Sequence, residues 1–377
     1  MLQVIYLFYR SYSLTRLNPS QSMTRQVEKD PLIPIIIINW NGYEDTIECL
    51  GSVLKLNYPA FHIHLLDNGS DLDEGDRLSR TYENNTRVTV YKLDANIGFA
   101  GGNALIVNQL LKTDVTYIAL LNNDTVVDEN WLTVLVQTAK KFDAHVLSSK
   151  IIYYHDHTIL DNVGHRMLNT GEIIPIGHGE SVSRYNSVFE NLGSCAAATL
   201  YSAEMIRKIG FFDDFFDTGY EDAEFGVRAF LTGYKCIFVP DAIVYHKVGR
   251  AIKKIFNYQY ALRTYNNIQY SYYKLMPAGV ILISLPFIVI KLILMIISNL
   301  LFWRPLHLRI LFLSLFQTIF TNRPVISSKR EAFFKSNQTI PVWQILSGQT
   351  FFFLFDIKRF IRFNILRRKS AIDTYGI

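Results

Sequence analysis

Three apolar runs that each stop on a carboxamide or a carboxylate constrain this chain more than any other feature. They are "IIIINWNG", ending at Asn39, "FHIHLLDNGS", ending at Asp67, and "VTYIALLNND", ending at Asn122 and Asp124. Four consecutive isoleucines leave no polar face, so the first run reads as a strand buried on both sides. Pro31 and Pro34 punctuate its entry. Between the runs lie segments of helical spacing. In "EDTIECLGSVLKLN", Ile47, Leu50 and Leu54 fall on one side. Strand and helix in alternation specify an α/β layered fold, a mainly parallel sheet with helices on both faces. Such sheets bind ligands outside the carboxyl ends of their strands, so Asn39, Asp67 and Asp124 are expected along one edge. Taken alone, "LLNNDT" also reads as a plain turn, because Asn and Asp bond their own backbone.

Further along, "VTVYKL" and "HVLSSKIIYY" read as strands, and "HTILDNVGHRMLNTGEIIPIG" as hairpins and loops. "SCAAATLYSAEMIRKIG" is rich in small residues and then helical. A helix from about Glu221 to Thr232 follows, then a strand "KCIFVP" and a further short strand. With 49% of its 377 residues hydrophobic, the chain is not a disordered one. Cys49, Cys195 and Cys236 are odd in number and far apart. They imply no disulfide framework and no CxxC metal site, and they fit a reducing compartment.

Asn122 and Asp124 stand two apart, so in an extended segment they face the same side. That is the spacing of a DxD metal-diphosphate site with Asn in the first place. A hard cation such as Mg²⁺ or Mn²⁺ takes oxygen ligands, often one or two carboxylates plus substrate phosphates. "NIGFAGGN", opening at Asn96, is a glycine-rich turn before a helix. It lacks the GxGxxG spacing and does not follow the first strand, which argues against a dinucleotide site. Glu221 and Asp222 begin a helix within an acidic run. There they either complement the helix dipole or carry a proton. Arg228 reads as an ion-pair partner or a phosphate contact.

"IIIINWNG", "HLLDNGSD", "NIGFAGGN", "LLNNDT" and "GYEDAEFGVRAFLTGYKCIFVPDAIVYH" occur in this order. Together they resemble family 2 glycosyltransferases, the inverting GT-A enzymes, and within them the rhamnosyltransferase-like branch, which includes galactofuranosyltransferases. The resemblance spans roughly residues 32–250. It implies a nucleotide-sugar donor, with dTDP-rhamnose as first candidate, and a lipid-linked or polysaccharide acceptor. It implies that Asp67 contacts the nucleotide, with Asn39, Asn96 and Asn122 lining the donor site. Asp124 and His246 would hold Mg²⁺ or Mn²⁺, and Asp222, with Glu221 beside it, would be the catalytic base. A catalytically inactive nucleotide-sugar or glycan-binding module on the same fold is the alternative.

The tail differs in character. "AGVILISLPFIVIKLILMIISNLLFW" carries one charge, Lys291, and a second apolar run spans Ile310 to Phe320. Twelve Lys/Arg against three Asp/Glu follow Trp303, so the tail carries +9 of a net +5 and the remainder −4. Ser284, Lys291 and Ser298 recur every seven residues and share one helix face. A single span would export the basic flank against the positive-inside rule. The expected organisation is an N-terminal extension (1–30), a catalytic domain (31–276) and a membrane-associated helical region (277–377) on the cytoplasmic face of the cell membrane. "FFFLFDIKRFIRFNILRRK" reads there as a basic interfacial helix meeting membrane lipid. No nucleic-acid partner is implied. The alternative for the apolar tail is a homo-oligomer interface.

Overall fold

The computed structural model describes residues 30–248 and 257–361. The N-terminal extension and the basic cluster beyond residue 361 lie outside them. The chain divides into two compact units, 30–165 with Pro175–Val248, and Arg166–Ile174 with 257–361.

In chain order, the first unit runs β1 (Ile33–Asn39), α1 (Tyr43–Val53), β2 (Phe61–Asn68), α2 (Glu74–Tyr82), β3 (Val88–Leu93) and α3 (Gly98–Leu110). It continues with β4 (Tyr117–Asn122), β5 (Thr125–Val127), α4 (Trp131–Phe142), β6 (Val146–Tyr153) and β7 (Asp156–Asn162). Two short strands that fall largely in the second unit, β8 (His165–Leu168) and β9 (Ile173–Pro175), come next in the chain. The first unit closes with β10 (Phe189–Glu190), β11 (Ala198–Ser202), α5 (Ala203–Ile209), α6 (Glu221–Leu231) and β12 (Cys236–His246).

The sheet order is β10-β12-β6-β11-β4-β1-β2-β3, with β5 paired to β12 and β7 to β6. Strands β1 to β4 run parallel, and β11 opposes both β4 and β6. Since β12 is parallel to β6, the carboxyl ends of β1, β2, β4, β6 and β12 share one edge. The sheet is the mainly parallel one expected. Strand β11 lies within "SCAAATLYS", where the small residues read as no particular element. "KCIFVP" and the strand after it form one element, β12, whose pairing to β6 shifts between Phe238 and Ile243.

Both faces of β1 are covered, which is what a run of isoleucine requires. Ile35 and Ile37 join Cys49, Leu50 and Val53 of α1 in one cluster. On the other face, Ile38 and Leu66 lie within 3.5 Å of where a Cβ on Gly102 of α3 would stand. Each fully buried Ile contributes about 1.5–3 kcal/mol. The polar ends of these strands are therefore held on rigid supports.

The second unit comprises α7 (Tyr258–Leu275), α8 (Ala278–Leu301), α9 (Pro305–Phe316), α10 (Arg323–Ser336), α11 (Val342–Ser347), β13 (Gln349–Thr350) and α12 (Phe352–Phe360). The segment Arg166–Ile174 belongs to it, and β13, β8 and β9 form a small sheet. Among the described residues one helix, α8, is long and apolar enough to cross a membrane, at a mean hydropathy of 3.0. Its Leu282, Ile283, Ile290, Ile293 and Leu300 are exposed, whereas Ser284 and Lys291 are buried. The Lys291 ammonium reaches the carboxylates of Glu172 and, at 3.1 Å, Asp356. Ser284 and Lys291 of the polar stripe thus face protein, and Ser298 is half-buried. An ammonium buried without a partner is costly, and these two acids give it one.

Candidate active site

Register brings the polar strand ends together. Asn39 pairs with Asp67 across β1 and β2, and Ile38 with Asn122 across β1 and β4. Asn39 is fully buried. Its Nδ2 donates to Asp67 Oδ1 at 2.7 Å, to Ser70 Oγ at 3.1 Å and to Glu74 Oε2 at 3.1 Å. Its Oδ1 accepts from Thr46 Oγ1 at 2.8 Å. The side chain is engaged by the protein, and what it does is aim Asp67. Ser70 Oγ also donates to Asp67 Oδ1, at 2.6 Å. Asn96 is exposed, and its Oδ1 accepts from Gly98 N at 2.8 Å, which shapes the turn into α3. Gly98 takes φ +78, and a Cβ there would stand 2.1 Å from Asp217 Oδ1, so the close approach requires glycine.

"LLNNDT" is a turn, not an extended segment. β4 ends at Asn122, the chain turns at Asn123 and Asp124, and β5 starts at Thr125. Thr125 Oγ1 closes it by donating to Asn122 O at 2.6 Å. The turn lets β5 pair with the last residues of β12, His246 opposite Thr125. Lys247 N donates to Asp124 O at 2.9 Å. As a result, His246 Nε2 lies 3.2 Å from Asp124 Oδ1, with both residues buried. Burial alone would raise the Asp124 carboxyl, but the charge and hydrogen bond of His246 hold it below its ordinary value. Burial likewise disfavours the imidazolium, and Asp124 and Asp161 override it, raising His246 to about 10.

The donor set fits a divalent cation completed by a ligand. Asn122 Oδ1 is buried with no hydrogen-bond partner. Neighbouring ligands on an octahedral ion, with bonds of ~2.0–2.1 Å, stand ~3 Å apart, close to the 3.2 Å between His246 Nε2 and Asp124 Oδ1. Among the described residues no group of three His, Cys, Asp or Glu is arranged to hold a metal ion. Asn122, Asp124 and His246 would hold such an ion only with oxygens supplied from outside the protein, as a diphosphate does.

The second acidic group starts α6. Glu221 is buried and Asp222 half-buried. Asp222 Oδ2 accepts from Ala196 N at 2.9 Å and its Oδ1 from Ala223 N at 2.7 Å. Asn122 N in turn donates to Ala197 O at 2.9 Å, so "SCAAA" ties Asn122 and Asp222 to adjacent residues. Gly226 of α6 lets the chain just before "SCAAA" pass close, since a Cβ there would lie 2.6 Å from Gly193 Cα. Burial, reinforced by the charge of Asp222, pushes Glu221 up to about 8, and its Oε2 has no partner. Arg228 is buried and structural. Its Nε and Nη2 donate to Glu224 at 3.1 and 2.8 Å, and Nη1 and Nη2 each donate at 2.7 Å, to the carbonyls of Ile209 and Phe211.

Asp161 carries no signal in the sequence. It lies in "HTILDNVGH", read as part of hairpins and loops, and its Oδ2 accepts from His246 Nδ1 at 2.9 Å. Cys195 marks the common neighbourhood. Burial raises its thiol, and Asp222, Asp161 and Glu221 raise it further.

Residues 35–209 match the family model Glycosyl transferase family 2. Glycosyltransferase GlyG of Streptococcus pneumoniae serotype 4 is 26% identical over 125 residues, 33% of this chain and 40% of that protein. The chain therefore matches well under half the length of this relative. A crystal structure of GalNAc-T7 with UDP, GalNAc and Mn²⁺ aligns at a TM-score of 0.48 and 17% identity, over 57% of this chain and 43% of that one. S. aureus TarS 1-349 aligns at 0.43 and 13%, over 64% and 71%. The stretch that carries most of this sheet and these strand ends is thus similar to glycosyl transferase family 2 over residues 35–209.

Proposed function

We propose that this chain is a metal-dependent inverting glycosyltransferase that moves a sugar from a nucleotide-sugar to a lipid-linked or polysaccharide acceptor. The observation that carries the reading is the buried, unpartnered Oδ1 of Asn122, two residues from an Asp124 already paired with His246. A bound Mg²⁺ or Mn²⁺ neutralises the charge that grows on a diphosphate leaving group. Asp67, aimed by Asn39 and Ser70, binds the nucleoside. Asp222 takes the proton of the acceptor hydroxyl, a poor nucleophile at neutral pH. Glu221, pushed up to about 8 by burial and by Asp222, stays neutral beside it and spares the site a second buried charge. Direct displacement by the activated hydroxyl inverts the anomeric carbon.

The exposed apolar side of α8 supports membrane association. Entry from the cytoplasmic face, where nucleotide-sugars are available, would hold a lipid-linked acceptor near the domain. The motif order of the rhamnosyltransferase-like branch makes dTDP-rhamnose the first donor to test.

The test is a thermal-shift panel of sugar nucleotides with Mn²⁺ or Mg²⁺, because a ligand of the native state raises Tm by mass action. The expected result is a metal-dependent shift with one donor, abolished in Asp124→Ala and kept or enlarged in Asn122→Asp. An Asp124→Ala protein with unchanged metal-dependent donor binding would sink the assignment.

A further inference from the structure

Asp161 meets His246 from β7. Over Ile151–Tyr153, β6 pairs with β12 on one side and β7 on the other, so the two side chains meet across β6. The β6–β7 register shows how. Ile151 pairs with Asn162, and the next residue, Ile152, pairs with Leu160. Asp161 is the extra residue of a β-bulge, a device that re-aims a side chain next to a site.

The carboxylate so aimed is held at both oxygens. Its Oδ2 accepts from His246 Nδ1 at 2.9 Å, and its Oδ1 lies 3.3 Å from His178 Nδ1. His178 Nδ1 also donates to Asp161 O at 3.0 Å, and Tyr153 Oη lies 3.4 Å from His178 Nε2. Asp161 is buried, so a misplaced carboxylate would have little water to turn to.

An imidazole that gives its Nδ1 proton to a carboxylate must present Nε2 on its other side, and here Nε2 points at Asp124. Histidines that ligate a metal characteristically give their second N–H to a carboxylate, which fixes tautomer and ring orientation. We infer that Asp161 is a positioning residue that holds His246 by its Nδ1–H, so that Nε2 is turned to the cation site beside Asp124, where a bound cation would take the place of the Nε2 proton. The inference rests on the metal reading above and adds to it the residue that orients the ligand. His178 steadies Asp161 from the opposite side.

The test uses the full chain with Mn²⁺ as probe, with inorganic pyrophosphate supplying the outside oxygens. Binding is followed by the electron paramagnetic resonance signal of free Mn²⁺, and nitrogen ligation by electron spin-echo modulation. Wild type is expected to bind Mn²⁺ with a nitrogen coupling that His246→Ala removes. Asp161→Ala is expected to weaken binding by about 10–100-fold and to diminish that coupling. Asp161→Glu, which restores a carboxylate, should recover part of both. Asp161→Asn, of nearly the same volume, keeps the question open to measurement where Asp161→Ala folds poorly. It should show weakened coupling in a protein that still melts cooperatively. Wild type that binds no Mn²⁺ overturns the metal reading and this inference with it. Wild-type coupling that is lost in His246→Ala but intact in both Asp161→Ala and Asp161→Asn overturns the inference alone.

Discussion

Ala196 gives its N–H to Asp222 Oδ2 at 2.9 Å, which leaves a half-buried carboxylate fixed at the start of α6. Ala223 N donates to the other oxygen, Oδ1, at 2.7 Å, so the main chain holds both. Asp222→Asn keeps the shape and removes the base. Its turnover should fall by roughly 10²–10⁴ while donor binding survives. Near-native turnover, or product NMR showing retained anomeric configuration, would reject the direct displacement.

Glu221 predicts a pH dependence of stability. Its folded value is pushed up to about 8 by burial and by Asp222, from an ordinary 4.5. Between those values the folded state holds a proton that the unfolded state has released. Stability therefore falls as pH rises through that window, and the loss is complete above it. Glu221→Gln should flatten this slope. Urea unfolding at about pH 5, 7 and 9 checks it, and parallel curves for the two proteins would count against a buried neutral Glu221.

Arg228 is predicted to matter for stability rather than for phosphate binding. Glu224 is completely buried under it, and removing one partner of a buried pair typically costs about 3–5 kcal/mol. Arg228→Ala should lose about that much in denaturant unfolding. Arg228→Lys should recover only part, because an ammonium cannot reproduce the planar fork. A stable Arg228→Ala protein that had lost donor affinity would return Arg228 to the phosphate.

Lys291→Met is expected to destabilise the second unit in detergent, because Glu172 and Asp356 lose their shared cation. Lys291→Met with Glu172→Gln and Asp356→Asn should recover much of the loss, since neutral replacements remove the stranded charges. Melting temperatures of the single and triple variants decide this. A Lys291→Met protein as stable as wild type would show that the ion group contributes nothing.

Truncation after Met276 should damage the remaining chain. Ala261 and Leu262 of α7 are buried with Ile310 of α9, and Arg330 donates to the carbonyls of Tyr273 and Met276. A cut there exposes the apolar side of α7. Ending the chain at Val248 removes α7 as well, and should give less aggregate on gel filtration.

The alternation of strand and helix was legible in the sequence because local pattern determines it. A run such as "IIIIN" has few places to go but a doubly covered strand, and its polar end must lie at an edge. Asn39, Asp67 and Asp124 stood out as candidates for that reason, Asn122 by its spacing from Asp124, and Glu221 and Asp222 by the motif they share with the family the chain resembles. Tertiary structure alone decided the rest. Asp161 became a partner of His246 through a bulge and a strand pairing between segments 85 residues apart. Burial turned Arg228 into a structural residue and Glu221 into a neutral acid. It also gave Lys291, the one charge of an apolar run, two carboxylates from distant segments. Periodicity reports which side of an element is apolar. It carries no record of which side chain another element will bring against it, and on that contact the charge of a buried group depends.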